Sequence, residues 1–362
     1  MISGICSISR VCEIRRIMRI LITGVHGFVG TNLVKVLKEK HTIYGLDIVS
    51  PEKDGVEKTY SWEDLEKGQV PDVDAIIHLA GKAHDTKNEA KAEVYFQVNT
   101  ELTKKIFDYY LTSTAGKFIF FSSVKAAADR VVGEYVDEEV TPAPKGPYGE
   151  SKIAAERYIL GKFRAESLEF RDSAELGVES EKAFQSEAEK ELSTINYQLS
   201  TKKVYILRPC MIHGPGNKGN LNLLYQVVRK GIPWPLGAFE NKRTFTSIDN
   251  LTFIIEGLLE KDVQSGIYNI NDDEAVSTNE LIEIICQAVG KKPRIWRIPK
   301  GLMTGCARCG DVLHLPLNSE RLQKLTENYI SSNKKIKKAL GVEQLPVRAK
   351  DGLQKTIAEF ER

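Results

Sequence analysis

Residues 19–30, RILITGVHGFVG, join a short aliphatic run to three evenly spaced glycines. The run RILIT has the composition of a buried strand, and Gly24, Gly27 and Gly30 match the pattern Gly-x-x-Gly-x-x-Gly. The residues that follow, TNLVKVLKEK, have the hydrophobic period of a helix. Glycines at these positions allow a tight turn, a close approach of the backbone to a pyrophosphate, and close packing of the helix on the strand.

The sequence therefore predicts a dinucleotide-binding loop, because strand, turn and helix follow one another in the required order. The N–H groups at the start of the helix would bind the phosphates, so the predicted contacts also include Phe28 and Val29. A strand–turn–helix without a ligand is the alternative, since a glycine motif alone is weak evidence.

Asp47 ends the second predicted strand, TIYGLDI, 17 residues after Gly30. A carboxylate at this position can accept hydrogen bonds from the ribose hydroxyls of a cofactor and would repel a 2′-phosphate. No arginine stands directly beside Asp47 in the sequence, which favours NAD(H) over NADP(H). The alternative is that Asp47 is a turn residue at the end of a strand.

Further apolar runs follow at residues 73–81, 117–123 and 203–209, and helical patterns separate them. Near-continuous apolar strands that alternate with helices predict a parallel sheet covered on both faces. After residue 210 the pattern changes to shorter helices and loops rich in glycine and proline. We therefore expect an α/β protein with a Rossmann-type, doubly wound parallel sheet and a smaller α+β substrate domain towards the C-terminus.

The predicted domain division has three parts. An appendage spans residues 1–17, a cofactor domain spans 18–210, and a mainly substrate-binding domain spans 211–362. Residues 244–270 are expected to return in part to the sheet, because GIYNI near their end has the pattern of a strand. A highly charged stretch at 162–202 interrupts the cofactor domain, and we assign it no chemical role.

The composition is that of a soluble globular protein, with 362 residues, 42% hydrophobic and 28% charged. The net charge of +2 favours neither nucleic acid nor a membrane surface as the main partner, and no apolar run is long enough for a membrane span. Cys306 and Cys309 form a Cys-x-x-Cys pair without a second pair or histidines at matching spacing. No metal site is therefore expected, and reduced thiols in a cytoplasmic protein are the prediction.

The stretch PYGESK places Tyr148 four residues before Lys152, so that both side chains lie on one face of a helix. Alone, this spacing is common by chance and predicts only an exposed helix. Ser123 closes the fourth predicted strand. A phenol is a poor base at neutral pH, but a nearby ammonium and a positive nicotinamide ring would lower its pKa.

The hypothesis for these three residues is acid–base chemistry at an alcohol or a ketone. Tyr148 would exchange a proton with the substrate oxygen, and Lys152 would supply positive charge and bind the cofactor ribose. Ser123 would orient the substrate oxygen. The alternative for Ser123 is a hydroxyl that caps nearby backbone.

Five motifs in one order, TGVHGFVG, HLAG, FSSVKAAAD, YGESK and LRPCMIHGPG, resemble the extended short-chain dehydrogenase/reductases. This is the NAD-dependent epimerase/dehydratase family, which acts on nucleotide sugars. The resemblance covers about residues 18–350 apart from the charged stretch, and it implies that Ser123, Tyr148 and Lys152 are catalytic. The cofactor it implies is NAD, as NADH or as retained NAD⁺. The cofactor contacts it implies outside the glycine loop are Leu79, Ala80, Asn99, Tyr148 and Lys152.

For the substrate, the resemblance implies that Ser123, Asn220 and Arg243 contact a UDP-sugar, the last two at the diphosphate. A surface salt bridge is the alternative for Arg243. The family usually has Val-Tyr-Gly three residues after the catalytic serine, where this chain has three alanines at 126–128, so a different pocket wall is expected.

The wording of the motifs is closest to the branch that includes reductases of UDP-2-acetamido-2,6-dideoxy-4-ketohexoses for surface polysaccharide. We therefore predict a 4-ketoreductase of a UDP-linked 4-keto-6-deoxy-N-acetylhexosamine. A UDP-glucose or UDP-N-acetylglucosamine 4-epimerase that retains NAD⁺ is the alternative, because it would use the same residues. A non-catalytic dinucleotide sensor is a remote third, since such proteins typically lose the tyrosine or the lysine. Relatives often pair through two helices, so a homodimer is compatible with the sequence.

Overall fold

The computed structural model describes residues 16–82, 91–176, 201–217, 219–313 and 317–361, and in 167–176 it describes the backbone alone. The predicted appendage and most of the charged stretch at 162–202 therefore lie outside the residues whose side chains are described.

Seven strands form one parallel sheet in the order β10-β6-β5-β4-β1-β2-β3. This order, with β4 at the centre and β1 beside it, is that of a dinucleotide-binding doubly wound sheet, and it confirms the predicted fold class. The bounds of the strands in the described residues are β1 Arg19–Thr23, β2 Thr42–Leu46, β3 Lys58–Tyr60, β4 Ala75–His78, β5 Lys117–Phe121, β6 Lys203–Pro209, β7 Met211–His213, β8 Lys242–Arg243, β9 Phe245–Ser247, β10 Gly266–Ile270 and β11 Val276–Ser277.

Helices cover both faces of the sheet and form most of the C-terminal part. A π-helical segment, Gln97–Glu101, joins two of them. The bounds of the helices in the described residues are α1 Phe28–Leu37, α2 Trp62–Glu66, α3 Ala92–Phe96, α4 Leu102–Thr112, α5 Val124–Ala127, α6 Pro147–Leu176, α7 Asn220–Arg229, α8 Ile248–Glu260, α9 Thr278–Ala288, α10 Lys300–Leu313, α11 Ser319–Thr326, α12 Lys334–Leu340 and α13 Ala349–Glu359.

The alternation of side chains along β1 shows why helices must cover both faces of the sheet. Ile20 and Ile22 pack in a cluster with residues of α1 and α8, whereas Leu21 packs in the opposite cluster with residues of α4 and α6. All three side chains are fully buried. Each such side chain stabilises the fold by about 1.5–3 kcal/mol relative to an exposed position. The interior strands are therefore apolar at most positions because both faces are core.

The ends of the charged stretch at 162–202 are anchored in the core. Phe163 packs at the edge of the cluster around Leu21. Lys202 is buried, and its Nζ donates to the carbonyl oxygens of Tyr110, Ser113 and Ala115 at 3.0, 2.7 and 2.8 Å. These carbonyls lie at the C-terminus of α4, where a cation is favoured by the helix dipole. Burial lowers the pKa of Lys202 to about 8.

The C-terminal part is a mixed α+β unit built on two short sheets, β7 with β9 in parallel and β8 with β11 in antiparallel orientation. The chain returns to the large sheet once after residue 210, where β10 pairs with β6. A second core forms between α7, α9 and α13. The division into cofactor and substrate domains stays a prediction. Within the described residues, the helices are too short or too polar to cross a bilayer.

Candidate active site

The glycine loop after β1 has the backbone geometry that its sequence predicts. Gly24 has φ +68°, a left-handed conformation that favours glycine, and a Cβ there would lie 2.9 Å from the backbone nitrogen of Ala80. A Cβ on Gly30 would lie 2.5 Å from the Gly24 carbonyl oxygen. Gly27 precedes the first residue of α1 and makes no side-chain cap, so the N-terminal N–H groups of this helix are oriented into the loop. This cradle fits the pyrophosphate of NAD.

Asp47 follows β2 and closes the edge of the same loop. Its carboxylate accepts hydrogen bonds from the backbone N–H groups of His26 at 3.0 Å and Ile48 at 2.7 Å. The carboxylate is half-buried, and its hydrogen bonds are those of a turn residue at the end of a strand. Contact between Asp47 and a cofactor stays a prediction.

Lys53 lies close to Asp47, and sequence reasoning missed it. Its Nζ donates to Thr31 Oγ1 at 2.8 Å, on the first turns of α1. Burial lowers the pKa of Lys53, and the Asp47 carboxylate acts in the opposite direction. The residues next to Asp47 in the sequence do not reveal Lys53, because a loop of several residues separates Lys53 from the strand end.

His78 joins the ends of the two central strands β1 and β4. Its ring nitrogens lie 2.7 Å from Thr23 Oγ1 and 2.9 Å from Thr103 Oγ1. Thr103 donates its proton to the carbonyl oxygen of Asn99, so it must accept from His78 Nε2. Burial, and secondarily the charge of Lys152, lowers the pKa of His78 to about 3. His78 is therefore a neutral linker that positions the loop and not an acid or base.

Asn99 lies in the π-helical segment and is fully buried. Its amide accepts from the N–H of Lys82 at 2.7 Å and donates to the carbonyl oxygen of Lys82 at 3.1 Å. The same amide donates to Ser151 Oγ at 3.0 Å. Asn99 therefore fixes α6 against the segment that carries Leu79 and Ala80, the two predicted cofactor contacts after β4.

Ser123 and Tyr148, predicted to act together, are hydrogen-bonded to each other in the structure. Ser123 is buried at the start of α5, and its Oγ also accepts from the N–H of Lys125 at 3.2 Å. The backbone cap is therefore present, and the role of Ser123 in orienting the substrate oxygen stays a prediction. The ring of Tyr95 meets the Tyr148 ring edge-on, with centroids 6.4 Å apart. Sequence reasoning missed Tyr95, because one tyrosine on a short helix carries no motif.

Lys152 lies one turn of α6 beyond Tyr148 and is buried. Its Nζ donates to the carbonyl oxygen of Phe121 at 2.8 Å. A Cβ on Gly81 would lie 3.1 Å from this Nζ and 3.0 Å from Asn99 Oδ1, so Gly81 leaves room beside the ammonium group. Burial lowers the pKa of Lys152 to about 8, and Glu156 acts in the opposite direction.

The lowered pKa expected for Tyr148 requires a bound nicotinamide ring and stays a prediction, whereas the protein chain alone shows the opposite direction. Burial raises the pKa of the Tyr148 phenol above its ordinary value, and Tyr95 adds to the rise. The hydrogen bond with Ser123 acts against it. The physical reason is that removal of the phenol from water disfavours the phenolate more than one neutral hydrogen-bond donor favours it.

A buried ion pair supports the residues that carry the site. Arg208, at the end of β6, donates through Nε and Nη2 to the two carboxylate oxygens of Glu156 on α6 at 3.0 and 2.6 Å. Ser122 Oγ also donates to Glu156 Oε1. Glu156 lies one turn beyond Lys152, and Ser122 precedes Ser123. The pair therefore joins β5, β6 and α6 directly beneath the predicted catalytic residues.

The predicted substrate residues lie in the C-terminal part. Asn220 is exposed at the first position of α7. The guanidinium of Arg243 donates to the carbonyl oxygen of Lys324, and its Nε is buried without a hydrogen-bond partner among the described residues. Burial lowers the pKa of Arg243, and Glu327 acts in the opposite direction. The interpretation of Arg243 as a surface salt bridge is not the arrangement found, and its contact with a diphosphate stays a prediction.

The three alanines at 126–128, where a different pocket wall is expected, are buried. Ala127 and Ala128 pack against Val136 in a small apolar cluster. Cys306 and Cys309 are exposed on α10, whereas Cys210 and Cys286 are buried. Among the described residues, no group of three or more histidine, cysteine or acidic side chains could hold a metal ion.

Comparison with known proteins agrees with this geometry. The model of the NAD dependent epimerase/dehydratase family matches residues 20–170. The UDP-glucose 4-epimerase of Vibrio cholerae is 30% identical over 298 residues, which are 77% of this chain and 78% of that protein. The N-acetyl-alpha-D-glucosaminyl-diphospho-ditrans,octacis-undecaprenol 4-epimerase of Escherichia coli O157:H7 is 24% identical over 81% of this chain and 79% of that protein.

The fold is shared with solved structures. The UDP-N-acetylglucosamine 4-epimerase from Bacillus cereus superposes with a TM-score of 0.68 at 18% identity and covers 95% of this chain and 100% of that chain. The similarity to the Vibrio cholerae protein covers 77% of this chain and therefore extends over both of its parts. The chain therefore belongs to the NAD-dependent epimerase/dehydratase family of the extended short-chain dehydrogenase/reductases, and it is an enzyme that uses NAD.

Proposed function

We propose that this enzyme oxidises and reduces carbon 4 of a UDP-linked hexose or N-acetylhexosamine, with Tyr148 as the group that exchanges the proton of the 4-oxygen. The observation that supports this most directly is the contact of Tyr148 with Ser123 next to the buried ammonium of Lys152. Ser123 follows β5, and the Lys152 ammonium contacts Phe121 at the carboxyl end of the same strand, the end of the sheet at which ligands of doubly wound sheets bind.

The chemistry requires a proton and a hydride to leave the same carbinol. NAD, when bound, supplies the acceptor and donor of the hydride. Ser123 would hold the 4-oxygen against Tyr148 Oη, where the proton is received during oxidation and returned during reduction. Lys152 is largely protonated at neutral pH, because its pKa is about 8. Its charge would stabilise the phenolate form of Tyr148 in the loaded enzyme, against the effect of burial.

The substrate nucleotide is assigned to the C-terminal part of the chain. The buried, unpartnered Nε of Arg243 supports a contact with the diphosphate, because an anion would satisfy this donor. Asn220 would contribute from the start of α7. We propose that residues 18–210 form the cofactor domain and that residues 211–362 form mainly the substrate domain.

Between the two forms of this reaction, the names of the relatives favour a 4-epimerase. The relatives from Vibrio cholerae, Escherichia coli and Bacillus cereus are all described as 4-epimerases of glucose or N-acetylglucosamine derivatives. An epimerase keeps NAD⁺ in place, turns the 4-ketone over and returns the hydride to its other face. The first proposal is therefore epimerisation at carbon 4 with retained NAD⁺.

A 4-ketoreductase of a UDP-linked 4-keto-6-deoxy-N-acetylhexosamine is the second candidate, in surface polysaccharide biosynthesis. The wording of the motifs around Ser123 and Arg243 favours it, and the same three catalytic residues serve both reactions. The difference lies in whether NADH enters from solution or the cofactor stays bound between turnovers.

One experiment separates the two forms. Purified enzyme is incubated with UDP-N-acetylglucosamine or UDP-glucose without added cofactor, and separately with the 4-keto-6-deoxy sugar and NADH. Interconversion of the C4 epimers without added NAD supports the epimerase, and stoichiometric loss of NADH supports the reductase. Turnover of neither substrate contradicts the assignment to UDP-sugars.

The role of Tyr148 is tested by Tyr148→Phe, which we expect to lower turnover by more than about a thousandfold with NAD affinity nearly unchanged. Tyr158→Phe is the matched control, since Tyr158 lies on the same helix but hydrogen-bonds Asp108 at the surface. Retained turnover in Tyr148→Phe would remove the tyrosine from the mechanism.

A further inference from the structure

One face of the C-terminal part combines a high density of positive charge with exposed apolar side chains. We call residues 291–313 the basic apolar face. Between 291 and 310 the chain has six basic residues and no acidic residue, and all six are exposed: Lys291, Lys292, Arg294, Arg297, Lys300 and Arg308. The net charge of the whole chain is only +2, so composition conceals this local cluster.

Helix α10 exposes a second apolar stripe beside the one that it buries. Met303, Ala307 and Gly310 face the protein. A separate stripe faces solvent and recurs at intervals of four, three and four residues, which places its members on one side of a helix. It consists of Leu302, Cys306, Cys309 and Leu313, with Val312 beside it. The exposed fractions of its aliphatic side chains, 60% for Leu302, 76% for Val312 and 66% for Leu313, are far above those of core residues.

A cavity of about 390 Å³ lies at the start of the basic apolar face, at Lys291, Lys292 and Arg294, and has a cationic rim. Val228, Trp234 and Ile282 form apolar parts of its wall, and four cations line it, among them Lys230 and Arg294. No acidic residue lines the cavity. Such a lining suits a ligand with an anionic head and an apolar body.

The cavity and the helix are parts of one continuous surface. Trp234 N–H donates to the carbonyl oxygen of Arg294 at 2.8 Å, and Gly237 N–H donates to that of Trp296 at 3.0 Å. The paired segment therefore runs from the rim of the cavity through Trp296, which is 57% exposed, to the start of α10. Trp234 also packs in the cluster under α10 together with Met303.

We propose that the basic apolar face docks the enzyme on the surface of an anionic phospholipid bilayer. The six cations complement lipid phosphates, and the stripe on α10 together with Trp296 would enter the region of the headgroups and upper acyl chains. The acidic residue of α10, Asp311, already accepts hydrogen bonds from Ser319 N and Oγ at 2.9 and 2.5 Å. Attachment of this kind is peripheral and needs no spanning helix.

A second copy of the chain is a poorer occupant of this face. In a symmetric dimer the same patch would meet itself, so that six exposed cations would face six others. Like charges placed across an interface oppose association. A bilayer rich in anionic lipid offers the opposite charge over the whole area of the patch.

The test is co-sedimentation of the full-length enzyme with vesicles. We expect binding to vesicles of phosphatidylglycerol and phosphatidylcholine, little binding to pure phosphatidylcholine, and release of the bound enzyme by high salt. The triple variant Leu302→Ser, Val312→Ser, Leu313→Ser and the charge variant Lys292→Glu, Arg297→Glu, Arg308→Glu should each bind at least roughly tenfold more weakly.

The matched control changes the net charge equally at another exposed cluster, by Lys334→Glu, Lys335→Glu, Lys338→Glu on α12. This control should bind vesicles like the unaltered enzyme. The proposal is overturned if the enzyme fails to bind anionic vesicles at low salt. It is also overturned if the control variant on α12 loses as much vesicle binding as the charge variant in the basic apolar face. It is also overturned if sedimentation velocity shows a dimer that the serine variant dissociates while vesicle binding is unaffected.

Discussion

The substitution Gly30→Ala tests whether the glycine loop works through close packing of α1 on β1. Gly30 lies within α1, where alanine is normally the better residue by about 1 kcal/mol. Here, however, a Cβ would lie 2.5 Å from the Gly24 carbonyl oxygen and 2.8 Å from Val25 Cα. These are backbone atoms of the loop, so no flexible side chain can move aside to make room.

The size of the effect follows from this geometry. An ordinary contact begins at 3.4 Å, so the start of α1 must move by about 0.9 Å relative to the loop. Overpacking of this kind costs about 1–3 kcal/mol. Gly161→Ala is the matched control, because Gly161 is a glycine inside α6 with no atom within 4 Å of its Cβ position. The gain in helix propensity is common to both variants, so their difference isolates the packing cost.

Urea unfolding followed by circular dichroism gives the free energy of unfolding, and calorimetry gives the affinity for NAD. We expect Gly161→Ala to stabilise the enzyme slightly and Gly30→Ala to be less stable than that control by about 1–3 kcal/mol. NAD affinity should fall roughly tenfold or more in Gly30→Ala, because the N–H groups of α1 are displaced from the phosphates. If the two variants are equally stable and bind NAD equally, the packing argument is refuted.

Three further predictions rest on other parts of the site. Asp47→Ala should raise kcat/KM with NADPH relative to NADH, because the charge of Lys53 near the ribose is then no longer offset by the Asp47 carboxylate. An unchanged ratio would show that neither side chain faces the 2′ position. The kcat/KM of the enzyme should fall as the pH rises above about 8, because Lys152 then loses the proton that carries its charge, and a flat profile to pH 10 would contradict this role. Glu156→Gln and Arg208→Met should each destabilise the enzyme by about 3–5 kcal/mol, since each leaves a buried group without its partner. The double variant Glu156→Met with Arg208→Met should lose less stability than either single variant. Losses that simply add would disprove the coupling between the two residues.

The large elements of the fold could be predicted because their causes are local. Consecutive residues alone predict the strands at β1, β5 and β6, which are apolar runs, and the turn before α1, which is marked by glycines. The edge strand β3 was missed because it has three residues and only Tyr60 is buried. The sequence pattern of residues 93–110 predicts one continuous helix, whereas in the structure a π-helical segment lies between α3 and α4. The hydrogen bonds of Asn99 across 17 and 52 residues accompany that break.

The site was predictable where a motif places residues on one element and not where distant segments meet. Tyr148 and Lys152 share a helix face, so their spacing was visible. Two residues that contact them, Tyr95 and Phe121, come from other segments, and a single sequence does not show which segments approach. The rise in the pKa of Tyr148 in the protein chain alone is not visible in the sequence for the same reason, since burial is a property of the assembled fold.

The buried pair of Glu156 and Arg208 has a consequence for how this chain can change over generations. Loss of either partner alone strands a charge in the core, so a lineage must replace both together or pass through a poorly folded intermediate. Ser123 and Tyr148 carry no such constraint, because neutral residues of similar shape can stand in their places. In descendants that abandon the reaction, the ion pair should therefore outlast the residues that perform it, and its presence marks ancestry rather than activity.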